Sequence, residues 1–373
     1  WIGLTLLGEP VSAALGINKI QLGSLFSAVG AAKSFVPVLA GFLVGRLGLK
    51  YSFWVGSLFC ALAVAVPNCS TYHAMLTLRF LFGVGGALVI TLTGPIAMRL
   101  FPAAQLPLIN GINNVAVNSG IVMALQLVPV LRETHPWQSI LFGFGLLSVA
   151  LSVAWLVLGV DVEAAGKKEV ASFSEVARRP ETWWMALAFS GPLALYLALN
   201  SFLPPHFELA FGLNPKQAAA LTKMFNLVGI PTAILSGWVT TRLGLRRPLI
   251  IGAGLLMPVA SLGLCFGADP NQRTVAAVFL GISLFLYVAP FFTVPMELPG
   301  SNAAFVARLN GIVISGAYLL ASLSPMVVGA VFERTGSYSK GLMFFCLTST
   351  LLAVGGWMLP ETGPRGRRQE GLQ

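Results

Sequence analysis

Long apolar runs separated by short polar breaks fill this sequence. They cover residues 22–44, 52–67, 73–98, 107–131, 138–160, 183–206, 218–240, 248–267, 274–297, 304–332 and 337–359, with a shorter run at 1–16. An α-helix needs roughly 20 apolar residues to cross ~30 Å of hydrocarbon. The runs are continuous, whereas the strands of a membrane β-barrel alternate apolar and polar positions. A helix also satisfies its own backbone hydrogen bonds in lipid. The pattern therefore predicts an all-α integral membrane protein with eleven complete spans and one partial span.

The runs form two matching sets. "GRLGLKYSFWVG" begins at Gly45 and "TRLGLRRPLIIG" at Thr241, 196 residues further on. At the same offset Gly16, Asn18, Gln21 and Gly41 meet Gly212, Asn214, Gln217 and Gly237. A second alignment, at offset 200, matches Thr93, Pro95, Asn110, Gly111 and Ile112 with Thr293, Pro295, Asn310, Gly311 and Ile312. An internal repeat of this length is an architectural feature. It predicts two six-helix bundles related by pseudo-twofold symmetry, over 1–160 and 183–360. A polar linker at 161–182 joins them, its "SFSEVARRPETW" suited to a short amphipathic helix at the membrane face. Residues 361–373 read as a solvated cytoplasmic tail. The partner of the first span begins near Trp183, so that span is expected to be truncated here, its start lying about thirteen residues before Trp1.

Composition sharpens this picture. The chain is 56% hydrophobic and 10% charged, with a mean hydropathy of +0.82; soluble domains carry about 25% charged residues. If both termini are cytoplasmic, the inner segments hold fourteen Lys and Arg and the outer segments six. That asymmetry follows the positive-inside rule, so the net charge of +10 reports topology. No clustered basic face suggests a nucleic-acid partner. The four cysteines show no metal or disulfide spacing and read as packing residues. His73, His135 and His206 lack a second ligand at metal spacing, so no cofactor, metal or enzymatic centre is expected.

Two parallel six-helix halves, each with a basic loop after its second helix, resemble the major facilitator superfamily. The family's loop motif, G-x-L-a-D-r-x-G-r-r/k, is matched by Gly41, Arg46, Gly48 and Lys50, and again by Gly237, Arg242, Gly244 and Arg246-Arg247. The resemblance implies a gating role for this loop. Glycine permits a tight turn, and the basic residues are expected at the inner headgroup level. The motif's aspartate is replaced by Gly45 and Thr241, so the family's carboxylate latch must be replaced or weakened. "RFLFGVGGA" is similar to the family pattern R-x-x-q-G-x-G-a, with Arg79, Gly83 and Gly85 in register and Phe82 in place of glutamine. "GINNVAVNSGIVMAL" has neither the drug–proton antiporter nor the nitrate-porter signature. "SFLPPHFELAFGLN" and "GIPTAILSGW" are similar to cyanate/nitroimidazole-type porters.

Such a fold implies a solute site near mid-membrane, where polar groups are costly and therefore informative. Asn110, Asn113, Asn114 and Asn118 follow at i, i+3, i+4 and i+8, on one helical face. Amides both donate and accept, which suits substrate binding for Asn113, Asn114 and Asn118; Asn110 reads as inter-helix glue. Lys33 lies on the order of 15 Å from either end of its span, where it must pair, lose its proton or face water. Arg79 is costly at its depth too. In the second half Tyr196, Asn200, Asn226 and Tyr287 are substrate-binding candidates. Glu9 and His206 are proton-coupling candidates, Glu9 lying close enough in depth to bond Lys33. Glu297 is expected to pair with Arg308 or a loop.

These residues predict a secondary active transporter in a bacterial inner membrane, monomeric and contacting only solute, protons and lipid. Lys33 and Arg79 point to a small organic or inorganic anion, moved by alternating access with proton coupling. The alternative is efflux of drug-like or amphipathic compounds, suggested by Phe and Met on the spans.

Overall fold

The computed structural model describes residues 4, 7–17, 19–159 and 173–369. They form helices with no strand among them: α1 (Gly8–Leu15), α2 (Lys19–Ala61), α3 (Tyr72–Leu100), α4 (Leu106–Leu131), α5 (Trp137–Leu158), α6 (Phe173–Arg178), α7 (Pro180–Phe211) and α8 (Pro215–Leu243). Then follow α9 (Arg247–Phe266), α10 (Pro270–Leu286), α11 (Val288–Glu297), α12 (Ala303–Ala321), α13 (Ser324–Thr335), α14 (Ser339–Thr348), α15 (Leu351–Met358) and α16 (Pro364–Gln369). Ten stretches among the described residues are long and apolar enough to span a bilayer, and Ser27–Ala40 adds a shorter one. The expected start of the first helix and most of the linker lie outside the described residues.

The repeat is visible in the backbone. Gly16 and Gly212 take φ of 60° and 65°, and Gly48 and Gly244 take 77° and 67°. Both pairs are mates at the 196-residue offset. A side chain disfavours such positive φ by roughly 1–2 kcal/mol, so glycine is what lets the chain reverse after each second span. Gly48 turns the chain inside α2, whereas Gly244 ends α8 as a left-handed cap bonded to the Thr240 carbonyl. At the other end of α8, Asn214 and Gln217 close a reciprocal capping box.

The described chain divides into two compact units. One comprises Trp1–Arg99, Gly120–Phe173 and Asn302–Ser315; the other comprises Leu100–Ser119, Ser174–Ser301 and Gly316–Gln373. In the first, Ala40, Val44, Leu88 and Leu92 pack with Ala303 and Ala307 of α12. Small residues matter because helices in lipid associate through close packing rather than through hydrophobic exclusion. In the second, Gly111 of α4 lies against α8, where an added Cβ would stand 2.5 Å from the Ala233 carbonyl oxygen.

Proline breaks are repaired locally. Pro290 lacks the N–H that the Leu286 carbonyl would otherwise receive, and the helix interrupts at Tyr287 between α10 and α11. The Ser236 hydroxyl of α8 donates to that carbonyl instead, the kind of side-chain substitution that lets proline persist in a spanning helix.

Candidate functional site

α2 and α3 run side by side with a matched register. Arg79 meets Leu25, Gly83 meets Val29 and Ala32, and Gly86 meets Lys33. Gly83 permits the approach, since a Cβ there would lie 2.8 Å from the Val29 Cα. Arg79 is buried, at 5% exposure. Its Nε donates to the Leu25 carbonyl at 3.3 Å, and its guanidinium stands 5.6 Å from the Phe82 ring centroid. The aromatic ring that replaces the motif's glutamine thus supplies a cation–π face. Nη2 has no hydrogen-bond partner among the described residues. Lys33 is half-buried, its stem crossing Gly86 so that a Cβ there would come 3.9 Å from the Lys33 Cε. Arg79 and Gly86 are seven residues apart, which sets the two cations about 10 Å apart along this seam. Glu9 lies in α1, its side chain outside the described residues, and so is any bond from it to Lys33.

The asparagine face of α4 divides in two. Asn110 is buried, and its Nδ2 donates to Thr293 Oγ1 at 3.0 Å and meets Met296 Sδ at 3.8 Å, which joins α4 to α11. Asn118, 2% exposed, donates to the Asn114 backbone carbonyl at 2.8 Å and to Asn114 Oδ1 at 3.3 Å. Asn114 Nδ2 is left buried without a partner among the described residues. Asn113 beside it is half-buried.

α7 and α8 carry a second polar cluster, whose membership only the fold could decide. Asn226, 1% exposed, accepts from the Tyr196 hydroxyl at 3.0 Å and donates to Asn200 Oδ1 at 3.0 Å and to the Thr222 carbonyl at 3.0 Å. Asn200 Nδ2 in turn bonds the Tyr196 carbonyl at 2.9 Å. Tyr287 is buried against Phe291 instead. His206 is enclosed, its Nε2 2.9 Å from the Cys265 carbonyl and its ring surrounded by Phe207, Phe211 and Phe266.

The two loop copies differ from expectation in one respect. Arg46 and Arg242 are exposed, and each lies over the aromatic ring four residues before it, Phe42 at 4.3 Å and Trp238 at 5.3 Å. Arg246, however, is buried rather than set at a headgroup surface. Its Nε and Nη2 clasp Glu297 at 3.0 and 2.7 Å, and Nη1 donates to the Thr240 carbonyl at 2.7 Å. Glu297 therefore pairs with a loop residue, Arg246, one of the two partners expected of it, because α11 ends beside the α8–α9 turn. A bidentate, charge-assisted pair of this geometry is strong.

The segment after the last span also departs from a solvated tail. Glu361 accepts from the Arg246 and Arg247 backbone N–H groups at 2.8 and 3.0 Å, so its carboxylate sits at the N-terminus of α9, where the helix dipole favours an anion. Thr362 donates to Glu297 Oε2 at 2.9 Å, and Arg365 N bonds the Gly244 carbonyl at 3.1 Å. The sequence carried little signal for this docking, because Glu361 accepts from backbone N–H groups that almost any residue would offer, while the Arg246 and Arg247 side chains bond Glu297 and the Trp357 carbonyl. In α6, Val176 is buried, Thr182 donates to its carbonyl at 2.8 Å, and Trp183 donates to the Ala177 carbonyl at 2.8 Å.

Known proteins place this architecture. A nitrite extrusion protein of Bacillus subtilis is 23% identical, covering 96% of this chain and 90% of its own. A probable sulfoacetate transporter of Cupriavidus necator is 24% identical, with coverages of 95% and 87%. A probable galactarate/D-glucarate transporter of Bacillus subtilis is 23% identical, covering 94% and 87%. The solved proton:xylose symporter superposes with a TM-score of 0.78 at 14% identity, over 97% of this chain and 92% of that one. The sequence profile of the Major Facilitator Superfamily matches residues 1–315. Its all-helical architecture, its apolar spans and that match establish that the chain belongs to the Major Facilitator Superfamily.

Proposed function

We propose that this protein is a secondary active transporter that carries a small organic or inorganic anion across the membrane by alternating access. Arg79 carries the reading. It is a guanidinium inside a membrane span, buried, with one nitrogen unpartnered and no carboxylate paired with it among the described residues. An uncompensated buried charge is expensive, and an anionic solute relieves that expense each time it binds. Lys33, two turns along the same seam, adds a second positive group. The relatives described above are named as a nitrite extrusion protein, a probable sulfoacetate transporter and a probable galactarate/D-glucarate transporter, and the solutes in those names are all anions, which supports this choice. Coupling to a proton falls to Glu9, because His206 is enclosed and bonded to backbone. Drug-like efflux has less support: the phenylalanines near α11 turn their rings on one another, Phe291 against Phe189, Phe292 and Tyr287.

The test is uptake into proteoliposomes with and without a pH gradient, using carboxylates, inorganic anions, neutral sugars and lipophilic cations. Anion uptake is expected to fall at least about tenfold in both Arg79→Ala and Lys33→Ala, which a lost charge-assisted contact of roughly 1.5–3 kcal/mol predicts. Wild-type anion uptake in both variants, or transport confined to lipophilic cations, would refute the anion reading.

A further inference from the structure

We infer that Cys265 and Cys346 are an oxidisable thiol pair, a modification site at which peroxide forms a disulfide that ties α9 to α14. The two sulfurs are in contact: the Cys346 thiol donates to Cys265 Sγ at 4.0 Å, across 81 residues of chain. Both side chains are fully buried, and both lie in the second of the two compact units. So long a separation leaves no spacing motif, and only the packing of the helices brings the pair together.

The seam that does so is built for close approach. A Cβ on Gly254 of α9 would stand 2.3 Å from the Ala353 N of α15, and one on Gly356 of α15 would stand 2.7 Å from Ile250 Cγ2. Residue numbers rise along α9 as they fall along α15, so the two run antiparallel. Cys265 is eleven residues beyond Gly254, about three full turns, and so stays on the face that α9 turns to this seam. Cys346 lies in α14, which shares one apolar span, Ser339–Met358, with α15. Each cysteine is also held through its main chain. His206 Nε2 lies 2.9 Å from the Cys265 carbonyl, and the Ser349 hydroxyl donates to the Cys346 carbonyl at 2.6 Å. Groups held in contact react as neighbours rather than by chance encounter. Cys60 and Cys69 differ: their thiols lie against the carbonyls of Phe82 and Ala65, at 4.0 and 3.8 Å.

Closing from 4.0 Å to the ~2.05 Å of an S–S bond asks about 1 Å of each sulfur. Full burial shuts out large oxidants, so the reagent must be small and uncharged, and hydrogen peroxide is both. It converts one thiol to a sulfenic acid and releases water. The second sulfur then attacks the sulfenic sulfur: the S–S bond forms, the S–O bond breaks, and the hydroxyl leaves with the second thiol's proton as water. Two thiols and one peroxide give one disulfide and two waters. The product is as neutral as the reactants, so the apolar interior exacts no charge penalty.

In the test, the purified full chain is treated with hydrogen peroxide and unfolded. Its remaining thiols are capped with N-ethylmaleimide, and its peptides are mapped by mass spectrometry. The expected result is a cross-linked peptide joining Cys265 to Cys346, with Cys60 and Cys69 capped; dithiothreitol before capping should return all four thiols. The oxidised chain should melt at a higher temperature than the reduced one, because the bond constrains the unfolded chain. Cys265→Ser and Cys346→Ser should each abolish the cross-link and the shift. Four capped thiols after peroxide, sulfinic acid at either residue without a link, or a bond from either to Cys60 or Cys69 overturns the inference. A melting temperature that fails to rise once the bond has formed overturns the tie between the helices. The wild-type map decides without any variant, so a misfolded serine variant does not blunt the test.

Discussion

Gly111 rests on the backbone of Ala233 in one unit, and Gly311, its mate at an offset of 200, rests on the backbone of Pro37 in the other. Ala233 and Pro37 are themselves mates at an offset of 196, so a single contact has been written twice. Beyond it the seams diverge. Asn118 and Asn226 have Tyr318 and Gly30 as their mates. Lys33, one turn from Pro37, has Gly229 as its mate, and a Cβ there would stand 2.3 Å from the Phe285 ring. One seam is furnished with amides and the other with a cation. Where two backbones touch, only the smallest residue fits; a turn or two away the helices tolerate many side chains. Duplication can therefore keep the contact and vary what lies beyond it.

The loops differ in the same manner. Arg246 is matched by Lys50, but Glu297 is matched by Ala97, so among the described residues this buried ion pair has no counterpart at the matching positions of the first copy. Lys50 instead contributes its backbone carbonyl, which accepts from Trp155 Nε1 at 3.1 Å. The lost loop aspartate is thus offset in one half by an acid drawn from α11 and another from beyond α15.

Three measurements separate what is shared from what is not. The largest effect belongs to the ion pair. Glu297→Ala strands a buried guanidinium and should cost about 3–5 kcal/mol of stability, while Lys50→Ala at the matching loop position should stay within about 0.5 kcal/mol. Equal losses in denaturant unfolding would dissolve the contrast between the copies. Next come the close contacts. Gly111→Ala and Gly311→Ala each force a methyl onto a carbonyl and should cost similar amounts, about 1–3 kcal/mol; a tolerated methyl at either site would show that the seams are not equivalent. The smallest effect is at the turns. Gly48→Ala and Gly244→Ala should each lose roughly 1–2 kcal/mol to positive φ. Gly244→Ala should lie at the upper end, because its Cβ would approach the Arg365 Cγ at 3.0 Å. Docked-tail contact is refuted if removing residues 361–373 leaves the Gly244→Ala penalty unchanged.

Hydrophobic run length is a local property, and it marked the spans without any knowledge of their neighbours. Repetition marked Gly16, Gly48, Gly212 and Gly244 for the same reason: a positive φ is demanded by the chain at that point. Periodicity placed four asparagines on one face of α4, yet it could not show that Asn110 would bond Thr293, 183 residues away, while Asn118 would turn back to its own helix. Nor could it show Tyr196, Asn200 and Asn226 as one network, or which loop residue Glu297 would reach. The sequence alone determined which segments are helical, where they turn and which face of each is polar, because those follow from residues a few positions apart. Tertiary structure alone decided which polar groups meet, because partners dozens to hundreds of residues apart are selected by how helices cross, and helical period carries no record of the crossing.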